Sequence, residues 1–199
     1  MSLTLLDWRR QVHRLYAEVR GTPDPAAAHE LWRRERDRLF AEHPDSPLTL
    51  DERPGFPGLP VAPYDPDLRF EVAVDSDVEP SAWSTETDAD GVVPFSRIGV
   101  AHLPGLGSLD VWWLESYGGG VFVPVRDRSP DTYGGGRYVL DTVKGADLGG
   151  DAAAGRLVLD LNFAYNPSCA YSPRWTCPLA PAGNTLGVAL PGGERYPGA

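Results

Sequence analysis

Cysteine, long apolar runs and surplus positive charge are all scarce in this sequence. Only two cysteines, Cys169 and Cys177, occur among 199 residues, too few for a disulfide scaffold. No stretch approaches the roughly 20 apolar residues of a membrane-spanning helix. Acidic residues outnumber basic ones by 28 to 18, for a formal net charge of −10, which disfavours a nucleic-acid binder that tracks phosphates. Asp7, Arg9 and Arg10 stand where a signal peptide needs its apolar segment, so a cytoplasmic protein is expected. What is plentiful is turn-forming residues: 22 Gly and 20 Pro, with no three-residue period and alongside 42% hydrophobic residues. That composition excludes a collagen and a long all-helical protein, and a chain of this length can bury a core.

The charge imbalance is local. Residues 1–43 hold 8 Arg against 7 Asp or Glu, leaving 10 basic and 21 acidic residues in 44–199. In the first segment Leu5, Trp8, Val12, Leu15, Tyr16 and Val19 recur at helical spacing, and Gly21 ends the run. A second helix is predicted from Thr22 or Asp24 as N-cap, with Pro23 or Pro25 at its first position and Pro44 as its stop. The run Arg33 to Arg38 mixes arginines with Glu35 and Asp37 and reads as a solvated face. Seven prolines then fall in 44–66, an extended connector wrapped over the surface.

Beyond it the pattern becomes short β-type runs between turn residues. Strands are predicted at 68–74, 92–103, 109–116, 120–125, 137–143, 156–162 and 185–190. The fold class is therefore mainly β, an antiparallel sandwich or partly open barrel behind an N-terminal helical hairpin. The domain plan is a helical arm at 1–43 and a β-rich domain at 44–199.

Two corners echo each other. Tyr117-Gly118-Gly119-Gly120 is matched sixteen residues later by Tyr133-Gly134-Gly135-Gly136, a spacing that would put both at one end of a sheet. They are two similar turns or two backbone nests for an anion. Only the second is followed by a guanidinium, Arg137, suited either to a salt bridge or to an anionic ligand. The densest polar set is Asp160, Asn162, Tyr165 and Asn166, where strand alternation puts Asp160 and Asn162 on one face and Asn166-Pro167 signals a turn. Such a loop can hold a ligand or can satisfy buried backbone groups.

Several chemistries lack their signatures. No catalytic-cysteine motif or nearby histidine surrounds Cys169, and the seven-residue gap to Cys177 is not a zinc knuckle. The pair is left to pack together or to cross-link on oxidation. Neither G-x-S-x-G, G-x-G-x-x-G nor a Walker loop is present. No metal or cofactor is expected.

The segments Thr132 to Tyr138 and Asp160 to Tyr171, followed by Cys177-Pro178-Leu179 and Asn184, resemble the hallmark run of a bacterial family, domain-of-unknown-function family 1684, over about residues 40–195. The resemblance implies a compact β-rich domain behind a helical segment, with a fold like the forkhead-associated phosphopeptide-binding sandwich. It implies no activity. The chain departs from the family pattern at Leu161, where Phe is usual, and at Phe163, where a basic residue is usual. Gly183 replaces an acid before the late Asn, and Gly192-Gly193-Glu194 replaces Ala-Gly-Glu.

Three functions follow as expectations. The first is a cytoplasmic binding domain for a small polar or anionic ligand or a peptide end, held by Tyr133, Gly134, Gly135, Gly136, Arg137 and Asn166. The second is a small-substrate hydrolase with Asp160 as general acid or base beside Asn162 and Tyr165. The third is a structural domain whose helices dock on the body or on a second copy, as a homodimer. No nucleic acid or membrane partner is expected.

Overall fold

The structure is a computed structural model that describes residues 3–87 and 91–196. Two helices lead, α1 (Leu3–Gly21) and α2 (Pro25–Glu42). Asp24 caps α2 by accepting from the Ala26 N–H, with Pro25 in the first turn, where a missing N–H costs nothing. Eight strands follow: β1 (Arg69–Asp75), β2 (Ala82–Thr87), β3 (Gly91–Leu103), β4 (Gly107–Leu114), β5 (Val121–Val125), β6 (Arg137–Asp141), β7 (Gly150–Asp151) and β8 (Arg156–Asp160).

All pairs of strands are antiparallel and form one sheet in the order β6-β5-β4-β3-β1-β8-β7, with β2 paired to β3 off this path. The sheet curls so far that Tyr138 of β6 exchanges backbone hydrogen bonds with Tyr165, just past β8, at 2.8 and 3.0 Å. Of the two architectures open from sequence, the curl selects the partly open barrel. Alternation along the strands sorts the side chains. Val111, Val123 and Val139 join a core shared with Leu15, Tyr16, Val19 and Trp32 of the helices. The intervening Trp112, Phe122 and Tyr138 form a second cluster with Phe95.

Several expectations need correction. Residues 185–190 are no strand; they contribute one bridge, Thr185 to Arg126. Strand β2 was not anticipated, because its edge run Ala-Trp-Ser-Thr-Glu-Thr is polar and largely exposed. The two glycine corners do not share an end of the sheet. Since β5 and β6 run antiparallel with Val125 opposite Arg137, Gly120 at the start of β5 and Gly136 before β6 lie at opposite ends of the hairpin. Their backbones differ as well: Gly118, Gly119 and Gly120 all have positive φ, whereas in the second triplet only Gly136 does, at 92°.

Candidate functional site

Arg137 opens β6 and points inward, with no exposed surface. Its Nη2 donates to Asp127 Oδ2 at 2.7 Å, and Nη1 donates to the carbonyls of Gly192 at 2.6 Å and Glu194 at 3.2 Å. Burial pulls the Arg137 pKa down while Asp127 pulls it up. On Asp127 burial acts to raise the pKa, but Arg137 and the Ser129 hydrogen bonds outweigh it and hold the carboxyl below its usual range. The guanidinium is thus committed to an internal pair. The glycine run before it serves close packing: Gly136 N–H closes a turn onto the Tyr133 carbonyl at 2.9 Å, and a Cβ on Gly136 would press on Ala180 and the Val125 carbonyl. Gly134 is exposed and Gly135 packs between Tyr133 and Leu179. The Tyr133 ring leans on Tyr196, centroids 5.4 Å apart.

Asn166 does meet Arg137, through Glu194. Its N–H and side-chain amide reach the Glu194 carboxylate at 3.1 and 3.4 Å, and Nδ2 also donates to the Arg195 carbonyl at 2.8 Å. Glu194 is fully buried and receives Arg36 Nη2 of α2 at 2.7 Å. Burial raises its pKa against the pull of Arg36. The Arg36 guanidinium lies 4.9 to 5.3 Å from the ring centres of Trp32, Phe40 and Tyr165. Tyr165 therefore belongs to this aromatic cage, and burial drives its hydroxyl well above its usual pKa.

Asp160 and Asn162 form a separate cluster at the end of β8. Asp160 is 1% exposed; its Oδ1 accepts from the Asn162 N–H at 3.1 Å and from Asn162 Nδ2 at 2.8 Å. Asn162 also pins the connector, accepting from Asp65 N–H and donating to its carbonyl, both at 2.8 Å. On the outer side Asp160 Oδ2 faces Tyr64 Oη at 3.4 Å and Arg69 Nη1 at 3.8 Å. Burial raises the Asp160 pKa despite these partners, and burial together with the charge of Asp160 pushes Tyr64 up to about 12. His29 of α2 packs on Tyr64 and Phe163. Its Nε2 lies 3.1 Å from the Asn162 carbonyl, which can only accept, so Nε2 carries the proton; burial lowers its pKa.

Tyr64 and Arg69 are also walls of an open cleft of about 700 Å³, completed by Asp24, Pro25, Ala26, Pro66 and Glu71. The start of α2 forms one side and β1 the other. A second hollow of about 500 Å³ is apolar, lined by Phe56, Leu59, Pro60, Tyr171 and Tyr196 among others. Among the described residues no group of three or more His, Cys, Asp or Glu could hold a metal ion, and no helix is long and apolar enough to cross a membrane.

The structure thus divides the polar residues picked from sequence into two buried networks and brings Asp160 close to a cleft through two residues that sequence analysis missed. Tyr64 is hidden in the proline-rich connector, where no periodicity marks it. Arg69 is an ordinary strand residue until the fold sets it over Asp160. Asp127 carried no local signal either, and Glu194 was visible only as the end of the Gly192-Gly193-Glu194 run. Arg36 stands in the run expected to be a solvated face, but while Arg34 and Arg38 are more exposed it turns inward, 11% exposed, to pair with Glu194.

No curated protein matches this chain. The chain is similar to an uncharacterised protein of Haloarcula marismortui, known from a solution NMR structure, at 36% identity and a TM-score of 0.55. The match covers 82% of this chain and 89% of that one. Residues 54–195, which include both buried networks apart from Arg36 and His29 of α2, as well as Arg69 and Tyr64 of the cleft, match the family described as "Protein of unknown function (DUF1684)", and the chain belongs to that family.

Proposed function

We propose that the protein is a cytoplasmic binding domain for a small polar ligand, received in the cleft between the start of α2 and β1. The observation that carries this is Arg69. Its side chain is 33% exposed at the cleft wall, steadied by Glu71 at 3.2 Å and Asp160 at 3.8 Å. A guanidinium fixed by carboxylates yet open on one side is suited to an anionic group. Pro25, Ala26, Pro66 and the Tyr64 ring offer an apolar bed for the rest of the ligand. Asp24 and Glu71 flank the cation, so a monoanion or zwitterion fits better than a polyanion.

The test is amide NMR of the full chain titrated with acetate, glycine and inorganic phosphate. Shifts should cluster at Ala26, Arg69 and Glu71 for the first two and vanish in Arg69→Ala. Shifts confined to other regions, or unaltered in that variant, would sink the reading.

A hydrolase has one observation in its favour, the raised pKa of Asp160 behind the cleft. Because Asp160 is 1% exposed, its proton would pass through Tyr64, not Tyr165. Activity on a small ester that is lost in Tyr64→Phe but kept in Tyr165→Phe would favour that reading over simple binding.

A further inference from the structure

The loop after Asn166 holds a cluster that the cleft does not use. Cys169 and Cys177 are both free and both partly exposed, and a side-chain hydrogen bond to the other thiol is the largest influence on the titration of each. The Tyr133 hydroxyl stands 3.6 Å from Cys169 Sγ, and it and backbone groups of Cys169 and Cys177 all act to lower the pKa of that thiol. We propose that Cys169 and Cys177 form a redox-active dithiol that reduces hydroperoxides, with Cys169 as the attacking thiol and Cys177 as the resolving one.

The asymmetry of the hydrogen bonds supports the assignment. A sulfur surrounded by donors is stabilised as a thiolate, and a thiol that donates its only proton to a neighbour is kept protonated. The bond from Cys177 accordingly draws Cys169 down to about 6, against the effect of burial and with help from Tyr133. The same bond and burial drive Cys177 up. Burial and the Cys169 contact lift Tyr133 to about 12, so its hydroxyl remains a donor at neutral pH. Burial, with the charge of Cys177, keeps Tyr138 neutral, and its hydroxyl donates to the carbonyl of Pro178, next to Cys177, at 2.6 Å. Lys144 is the cation that acts on Cys177, and its charge would favour a thiolate there once Cys169 is oxidised.

The chemistry closes without a histidine base. The Cys169 thiolate attacks the terminal oxygen of ROOH; an S–O bond forms, the O–O bond breaks and RO⁻ leaves to take up a proton as ROH. The Cys177 thiol then loses its proton and attacks the Cys169 sulfenic acid; an S–S bond forms and water departs. The two thiols lose two electrons and two protons, and the hydroperoxide is reduced to ROH and water.

The test uses the full-length reduced chain. Iodoacetamide at neutral pH should label Cys169 more than tenfold faster than Cys177, with a midpoint of the rate against pH near 6 that moves upward in Tyr133→Phe. One equivalent of hydrogen peroxide should remove two hydrogens from the intact mass and leave no titratable thiol. In Cys177→Ser the same treatment should leave a sulfenic acid at Cys169 that dimedone traps. Equal labelling of the two thiols with a midpoint near 8.5, the ordinary cysteine value, would overturn the proposal, as would peroxide consumption no faster than that of free cysteine. The labelling measurement needs no substitution, so it decides even if a variant does not fold.

Discussion

The Arg36 guanidinium of α2 meets the Glu194 carboxylate at 2.7 Å across 158 residues of sequence. Arg36 is 11% exposed at its side chain and Glu194 not at all. This contact ties the helical arm to the end of the chain, because Glu194 also receives Asn166 and, through its carbonyl, Arg137. Replacing Arg36 by Ala strands a buried carboxylate, which costs about 3–5 kcal/mol. In urea unfolding, the penalty of Arg36→Ala should shrink when Glu194→Gln is added, since a neutral amide needs no counter-charge. An equal penalty in both backgrounds would mean that the ring contacts of Arg36, not its charge, hold the arm.

Asn166 is the hinge of the same network. Its side chain donates to the Arg195 carbonyl and to Glu194, so Asn166→Ala leaves one buried and one partly buried acceptor short of a donor. A loss of about 1–3 kcal/mol is expected, seen as a melting temperature several degrees lower. An unchanged melting temperature would remove the residue from the scaffold.

The pair of Asp127 and Arg137 should show itself in pH dependence. The folded-state pKa of Asp127 lies below its usual value, so its contribution is complete above the ordinary carboxylate range and disappears as pH falls through the folded pKa. Asp127→Asn should therefore lower the urea midpoint most at neutral pH, with the difference from the parent chain narrowing below pH about 4. Glu194 and Asp160 run the other way, because burial raises both; each becomes less of a burden as acid protonates it. A constant offset for Asp127→Asn across this range would contradict the assignment.

Gly183 has a steric reason for lacking a side chain. A Cβ there would overlap the carboxylate of Asp110, which pairs with Arg97 at 3.1 Å. The Asp110 carboxyl thus occupies the space that the first atom of any side chain at position 183 would need. Gly183→Glu should cost about 1–3 kcal/mol through overpacking, and adding Asp110→Ala should recover most of it by clearing the space and giving Arg97 a new carboxylate. Thermal melts of the single and double variants compare the two directly. Failure of the second substitution to help would show that the position is closed for some other reason.

Phe163 is likewise fixed by its surroundings. Its ring lies edge-on to both His29 and Trp32, with centroids 5.3 Å away in each case, so it completes the packing of α2 onto the barrel. A basic side chain would have to leave this core.

Backbone structure was readable from sequence wherever the cause was local. Apolar spacing marked α1, the Asp24-Pro25 pair and Pro44 bounded the second helix, and runs between glycines and prolines gave β1, β3, β4, β5, β6 and β8 to within a few residues. Periodicity and turn residues act over a few positions, and the sequence displays them directly. What each polar side chain does was settled only by the tertiary structure. Arg137 beside three glycines looks like an anion site until Asp127 and two carbonyls from residues 192–194 close around it. Asp160 looked like a partner of Tyr165, yet the curl of the sheet gives Tyr165 to Arg36 and sets Tyr64 and Arg69 over Asp160. A hydrogen bond or ion pair depends on atoms within a few ångströms, and in a sheet that curls back on itself those atoms come from residues far apart in the chain.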